Sequence, residues 1–149
     1  MPLPPYLISA NVFLCERILN ETDGVVSAIR IVDLFYVTDL PSEAPPGAMP
    51  IVQAWGLVIL KSHVGYQGSH TVEIKLINVR GESQSLGPEQ KVQFVAKHPD
   101  VAGGVTLSVQ LNIGVKNLGT CYLCAVLDGE EIARAPFTLM RQVSKTNIG

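Results

Sequence analysis

Alternating apolar and polar residues dominate the chain. Between positions 105 and 115 the odd residues are Val, Leu or Ile, and the even residues from 106 to 112 are Thr, Ser, Gln and Asn. Side chains on a β-strand alternate between its two faces, so this segment predicts a long strand with one buried face. The segment from His70 to Val79 repeats the pattern, with three apolar positions towards the core (Val72, Ile74, Leu76) and two charged ones in solvent (Glu73, Lys75).

The end of the chain predicts a β-hairpin. Two apolar segments, Cys121 to Leu127 and Glu131 to Leu139, flank Asp128-Gly129. Asp-Gly supplies the positive φ angles of a type I′ turn. Pro136 cannot donate a hydrogen bond to a neighbouring strand, so we expect the second strand at a sheet edge or with a bulge.

The whole pattern predicts about eight strands and no helix. The remaining strands are Leu7 to Leu19, Val25 to Val37, Ile51 to Ser62 and Lys91 to Ala96. The second of these has mixed faces, so it is partly covered or bends part-way, and the third is apolar on both faces and therefore central. Two connections separate these strands. One is a turn that ends in Asp23-Gly24, and the other is a proline-rich loop at 38–50, which is the expected crossover between sheets. We therefore predict a single all-β domain over 1–149, a two-sheet antiparallel β-sandwich that is immunoglobulin-like or jelly-roll-like.

Composition and charge narrow the classes of function. The chain is 47% apolar and 16% charged, with a net charge of -2, so it has no basic field for nucleic acid. No apolar run approaches the ~18 residues of a membrane span. The first fifteen residues lack Lys and Arg, and the three cysteines are an odd number. These features predict a cytoplasmic protein with no nucleic-acid or membrane partner.

The cysteines do not predict a metal or redox site. Cys121 and Cys124 have C-x-x-C spacing, but residues three apart on a strand point to opposite faces. We expect both, and Cys15, to be buried structural residues. The chain also lacks a P-loop, G-x-G-x-x-G, G-x-S-x-G and H-E-x-x-H. We therefore assign no cofactor, no metal ligand and no catalytic residue.

Four residues are candidates for a ligand or surface contact. His63 and His70 flank the turn at 64–69, so they could face each other across a hairpin and hold a divalent ion near Glu73. Solvated strand-end histidines are the favoured alternative. Tyr66 in the glycine-flanked turn and Tyr36 beside the proline-rich loop are candidates for exposed contacts, whereas Trp55 is expected in the core.

Acidic residues in the N-terminal third offer another possible site. Asp33 has apolar neighbours, so a half-buried carboxylate there would need Arg30 or Arg17 as a partner, and we interpret it as a structural ion pair. Paired carboxylates for acid–base chemistry stay open among the acidic side chains of this region (Glu16, Glu21, Asp23, Asp33, Asp39).

Both ends of the chain resemble a known family. Three segments are similar to the ends of a family of small bacterial β-sandwich proteins with no established activity. They are the stretch from Ala10 to Arg17, the stretch from Asp23 to Ile31 and the tail from Gly119 to Phe137. The tail also resembles the closing hairpin of immunoglobulin-like sandwiches generally. The resemblance implies a bacterial or phage-related origin and the sandwich fold, and it assigns no site residues.

Three hypotheses for function follow. The first is a non-enzymatic binding or assembly module, which binds another protein or itself through long β-prone edges or through sheet faces. The second is a small metal-dependent or hydrolytic enzyme that uses the His63/His70 turn or the N-terminal carboxylates. The third is a domain that binds a small ligand, such as a sugar or peptide, through Tyr36, Tyr66 and the proline-rich loop. Fold alone does not choose among them.

Overall fold

The computed structural model describes residues 3–22, 25–40, 42–95 and 98–142, and the regular structure in these residues is entirely β. No helix in these ranges has the length and apolar character needed to cross a membrane. The described residues contain ten strands: β1 Leu7–Asn20, β2 Val26–Ile31, β3 Leu34–Val37, β4 Ile51–Val64, β5 Gly68–Ile77, β6 Ser83–Ser85, β7 Gln90–Phe94, β8 Ala102–Gly114, β9 Gly119–Leu127 and β10 Glu130–Arg141.

The strands form two sheets. Sheet A has the order β2-β1-β4-β8, and sheet B has the order β3-β10-β9-β5-β6, with β7 also paired to β5. All pairs are antiparallel except the parallel pair of β3 with β10. The predicted all-β, two-sheet β-sandwich is confirmed, with one parallel pair that the pattern did not predict.

The core lies between the two sheets. Gly56 on β4 marks the inner face of sheet A, because a Cβ added there would lie 3.2 Å from Leu111 Cδ1 on β8 and 3.4 Å from Ile74 Cδ1 on sheet B. The absence of a side chain at this position lets sheet B approach the middle of β4. Since neighbours alternate, Leu57 and Trp55 point away from the core.

The predicted strand from Val25 to Val37 is in fact two strands. The chain breaks at Val32 and Asp33 and passes from sheet A (β2) to sheet B (β3), which agrees with the predicted bend. This split and the short β6 raise the number of strands from eight to ten. Arg30 lies 3.5 Å from Glu16, whereas the described residues show no ion pair of Asp33, so the expected Asp33 pair is absent from them.

The C-terminal hairpin forms as predicted. Asp128 and Gly129 have φ angles of 50° and 85° in the turn between β9 and β10. Pro136 lies opposite Tyr122, on a part of β10 that β3 does not reach, so the expected edge position is confirmed locally. The turn predicted at Asp23-Gly24 lies outside the described residues.

The long loop at 38–50 runs from β3 in sheet B to β4 in sheet A. Its described residues contain no strand, as its prolines predict. The expected crossover between the two sheets is therefore confirmed, and it leads directly into the central β4.

Candidate functional site

One end of the sandwich holds a group of aromatic and polar side chains from distant parts of the chain. Tyr6 precedes β1, Tyr66 lies in the turn between β4 and β5, His70 is on β5, Phe94 ends β7, and Asp128 is in the β9–β10 turn. We call these five residues the histidine cluster. It joins the N-terminal end of sheet A to three strands of sheet B.

Both imidazole nitrogens of His70 are hydrogen-bonded. Nδ1 lies 2.5 Å from Asp128 Oδ2, and Nε2 lies 2.6 Å from the Tyr66 hydroxyl. An ionised carboxylate can only accept, so Nδ1 carries the proton that is donated to Asp128. In the neutral tautomer Nε2 then accepts from the Tyr66 hydroxyl. The Tyr6 hydroxyl is also near Nδ1, at 3.3 Å.

Ring stacking completes the cluster. The Tyr6 ring lies 4.6 Å from the Tyr66 ring and 4.6 Å from the His70 ring, at interplanar angles of 13° and 15°. Phe94 contacts all three rings edge-on and is fully buried. Burial, the Asp128 charge and Tyr66 together raise the pKa of Tyr6 to about 12, so its hydroxyl stays neutral at physiological pH.

Asp128 holds β5 by backbone as well as by side chain. Its N–H donates to the carbonyl of Thr71 at 2.8 Å, and the Thr71 N–H donates to its Oδ1 at 2.9 Å. Burial by itself would raise the pKa of Asp128, but the hydrogen bonds from Thr71 and His70 outweigh it and keep that pKa below its ordinary value. The carboxylate is therefore fixed and ionised at neutral pH.

The chain of contacts from Asp128 through His70 to Tyr66 has the connectivity of a catalytic triad, but its exposure is reversed. In a triad the carboxylate is buried and the hydroxyl faces substrate. Here the His70 side chain is 13% exposed and the Asp128 side chain is 48% exposed. The Tyr66 hydroxyl lies against Gly68, where an added Cβ would clash with it. With both nitrogens of the ring occupied, this arrangement ties the ends of the two sheets together and presents no free base.

A polar groove of about 510 Å³ adjoins the cluster on sheet B. Lys91 lies opposite Thr71, and Gln93 lies opposite Ser69, so their side chains share one face. Asp128 closes the groove on the side away from Lys91. Hydroxyl, amide, ammonium and carboxylate groups line it, which keeps small-ligand binding open as a prediction.

The structure separates the four predicted site residues. Tyr66 and His70 meet in the cluster, whereas Tyr36 is exposed on β3 opposite Met140. His63 is exposed near the end of β4 in sheet A, and His70 is on β5 in sheet B, so the connection between them is not a hairpin. The predicted facing of His63 and His70 is wrong. No set of three His, Cys, Asp or Glu side chains in the described residues could hold a metal ion.

Tyr6, Phe94 and Asp128 were missed by the sequence analysis. Asp128 lies 58 residues from His70, and Tyr6 lies 64 residues from it. Nothing in the local pattern brings these segments together. The sequence pattern identifies Asp128 only as a turn residue. The one signal for its contact with His70 is that an acidic turn residue and a strand predicted to begin with His could meet at the same end of a sheet.

A second candidate surface is the outer face of sheet A. Cross-strand partners share a face, so the register of β1, β2, β4 and β8 identifies its members. Among its apolar side chains are Phe13, Cys15, Ile29, Ile31, Ile51, Trp55, Leu57 and Ile59. We call these eight residues the apolar face.

The apolar face is densely packed at its centre and exposed at its margins. Leu57 is only 5% exposed and Cys15 is fully buried, yet neither belongs to the core between the sheets. Ile31 and Ile51 at its margins are 64% and 62% exposed. Trp55 is half-buried here, so its predicted place in the core is wrong. The reason is that β4 has apolar residues on both faces, and the pattern did not tell which face was inner.

The cysteines agree with prediction. Cys121 is in the core, whereas Cys124 is buried on the other face of β9, and both are free thiols, as is Cys15. Burial raises the pKa of each thiol, that of Cys124 to about 12. They are therefore protonated at neutral pH.

Comparison with known proteins gives no family. No family model and no curated protein matches the chain. Among solved structures, a β-glucosidase from Listeria innocua in complex with glucose is 14% identical over 61% of this chain and 14% of its own, with a TM-score of 0.47. The alkylpurine DNA glycosylase AlkC of Pseudomonas fluorescens, bound to DNA with an abasic-site analogue, is 13% identical over 58% of this chain and 25% of its own, with a TM-score of 0.44. The chain thus spans a small part of each of these proteins.

Proposed function

We propose that this domain is a non-enzymatic assembly module that associates with a second copy of itself through the apolar face. The observation that carries the proposal is a contiguous set of neutral, largely apolar side chains on the outer face of sheet A, of which Ile31 and Ile51 are 64% and 62% exposed. A contiguous apolar surface of this kind on a folded domain marks an interaction site. The outer face of an antiparallel sheet is otherwise expected to be polar.

The charge distribution favours a second copy as the partner. Charged residues on the outer face lie towards its two ends, at Lys61 and Arg17. Between them, three cross-strand rows hold only neutral side chains: Asn11-Ile59-Thr106, Phe13-Leu57-Ser108 and Ile31-Cys15-Trp55-Gln110. A two-fold interface places a patch against itself, and a neutral patch meets its copy without repulsion. Depletion of charge and enrichment of aromatic residues are features of interface centres.

The size of the surface is also suitable. Four strands at the usual spacing, over roughly ten residues of length, give a footprint of about 600 Å². A standard specific interface buries ~800 Å² on each partner. The apolar face therefore supports a moderate interface, with Trp55 and Phe13 as central anchors.

Sedimentation velocity of matched variants tests the proposal. Ile59→Lys puts a charge in one of the three neutral rows of the apolar face, and Met140→Lys puts the same charge on an exposed strand position of sheet B. We expect the wild-type protein and Met140→Lys to sediment as the same assembly, and Ile59→Lys to form a particle of half that mass. Far-UV circular dichroism checks that each variant is folded. A wild-type protein that stays monomeric at high concentration, or an Ile59→Lys variant with wild-type mass, would contradict the proposal.

We also infer a bacterial origin and a cytoplasmic location. The likeness of the two ends to a bacterial family supports the first. The three free, buried cysteines support the second, because thiols persist in a reducing compartment.

A further inference from the structure

Strand β8 is an unusual edge strand. It forms one edge of sheet A and is 13 residues long, from Ala102 to Gly114. It contains no charged residue and no proline. Soluble proteins normally protect sheet edges with charge, proline, a bulge or short length, because an exposed edge carries unpaired backbone groups. β8 has none of these along the run from Gly104 to Gly114, which pairs with β4 without a register shift.

The other strands that end a sheet in the described residues are short. β2, at the opposite edge of sheet A, has six residues and contains Arg30 with a φ of 54°, which disturbs the extended backbone. In sheet B, β3, β6 and β7 have four, three and five residues. Among the strands that end the two sheets in the described residues, β8 is therefore the one that is both long and unprotected.

The inner side chains of β8 point to the same conclusion. Leu111 and Ile113 are fully buried in the core, but Val105, Leu107 and Val109, on the same face, are only half-buried. All five have their partners on β4 inside the sandwich. Leu107 and Val109 line a small cavity with Leu86 and Pro88, and all three half-buried residues lie on the last strand of sheet A, so a further strand beside β8 would increase their burial.

We propose that β8 pairs antiparallel with β8 of a second copy across a two-fold axis, which joins the two four-stranded sheets into one continuous sheet. The partner strand needs neutral side chains that alternate apolar and polar, and β8 itself has that pattern. Its outer positions Thr106, Ser108, Gln110 and Asn112 can hydrogen-bond to their own kind across strands. An antiparallel pair of identical strands satisfies the two-fold symmetry of most homodimers.

This interface is separate from the apolar face. Edge pairing places strands side by side at ~4.8 Å, whereas face pairing stacks two sheets ~10 Å apart. Two different two-fold interfaces in one chain close into a tetramer when their axes are perpendicular. The wild-type protein is then a tetramer, each single disruption leaves a dimer, and the double disruption leaves a monomer.

The first test combines two substitutions. Val105→Lys places a charge on the inner, half-buried side of the edge, which is the way natural sheets block strand pairing. We expect Val105→Lys and Ile59→Lys each to halve the sedimenting mass, the double variant to halve it again, and Met140→Lys to leave it unchanged. Loss of mass with Ile59→Lys alone would overturn the edge proposal and leave the face proposal intact. Loss of mass with Val105→Lys alone would overturn the face proposal and leave the edge proposal intact.

The second test does not depend on disruption. In an Ile59→Lys background, which removes pairing through the apolar face, single cysteines replace Thr106, Ser108 or Gln110 on β8, and Gln53→Cys on the adjacent β4 is the matched control. The native thiols are buried, so each variant has one reactive surface thiol. Two-fold edge pairing predicts oxidative cross-linking in the assembly that peaks at one β8 position and is absent at Gln53, because a disulfide needs Cβ atoms within ~4.5 Å. Equal cross-linking at Gln53 and the β8 positions, or none at β8, would overturn the proposal.

Discussion

At the scale of single residues, Asp128 has two roles that depend on the same carboxylate. Its positive φ makes the β9–β10 turn, and its two oxygens fix His70 and the backbone of Thr71. Through His70 it also positions Tyr66 and Tyr6. A turn residue thereby becomes the connection between the last hairpin and the N-terminal end of the domain.

The lowered pKa of Asp128 makes its contribution to stability depend on pH. A carboxylate whose pKa is lower in the folded state stabilises that state while ionised, and this stabilisation is lost as pH falls through the folded-state pKa. We expect Asp128→Asn to reduce the free energy of unfolding at neutral pH by about 1 kcal/mol, since the half-exposed group is screened by water. The difference in the free energy of unfolding between wild type and variant should shrink as the pH falls below 3.8, the ordinary pKa of an aspartate.

Chemical denaturation of wild type and variant across the acid range measures this difference. Asp100→Asn, at a well-exposed turn position, is the control and should change the free energy of unfolding little at any pH. A difference between wild type and Asp128→Asn that stays constant on acidification would contradict the role of the charge.

The sequence singled out Tyr66 and His70, but only as neighbours of the same turn. The other partners of His70, Tyr6 and Asp128, could not be predicted, because hydrogen bonds across 64 or 58 residues depend on the arrangement of sheets and not on spacing. Tyr36 was found where an exposed aromatic residue was expected. His63 was misplaced because two consecutive strands went to different sheets.

At the scale of elements, the start of β5 depends on a glycine. A Cβ at Gly68 would clash with the Tyr66 hydroxyl and lie 2.9 Å from its Cζ. The Tyr66 ring cannot easily move, since Tyr6 stacks on it and His70 binds its hydroxyl. We expect Gly68→Ala to lower the free energy of unfolding by ~1–3 kcal/mol, the usual cost of overpacking.

Gly114→Ala is a matched control for this effect. It is also a strand glycine, and its added Cβ would lie 2.6 Å from Met49 Sδ. Met49 is in the loop at 38–50, and its flexible side chain can turn away. We expect a change within about 0.5 kcal/mol. Equal losses in the two variants, measured by chemical denaturation, would mean that the histidine cluster is not rigid.

Strand prediction was most successful where one face is clearly buried. β5, β8 and the β9–β10 hairpin follow from strict alternation and from the Asp-Gly turn. Val25 to Val37 was predicted as one strand because its composition is β-prone throughout, and no glycine or proline marks the break at Val32 and Asp33. The parallel pairing of β3 with β10 was equally invisible, because its two segments are far apart in sequence.

At the scale of the whole molecule, assembly and stability are linked. Association stabilises the folded state by mass action, by about 1.4 kcal/mol for each tenfold rise in concentration per association step. We therefore expect the midpoint of thermal unfolding to rise with protein concentration in the wild type. The double variant Ile59→Lys with Val105→Lys should show no such rise in calorimetry, and a rise in that variant would point to another interface.

The all-β sandwich itself was predictable because composition, alternation and turn chemistry all indicate it. Which apolar residues of β4 face inward was not, since the strand is apolar on both faces. Gly56 identifies the inner face, because it has no side chain where sheet B approaches. That close approach is apparent only when sheet B is in place.

The order of strands along the chain also has a consequence for synthesis. Sheet A is complete at Gly114, but β5 and β10 in sheet B are joined only through β9, which starts at Gly119. A ribosome makes the chain from its N-terminus, so the inner surface of sheet A emerges before the hairpin that closes it. During that interval the nascent chain presents both an open apolar surface and the unprotected β8 edge, a combination prone to misassembly. We expect the β9–β10 hairpin, once made, to cover the inner surface of sheet A and end this interval.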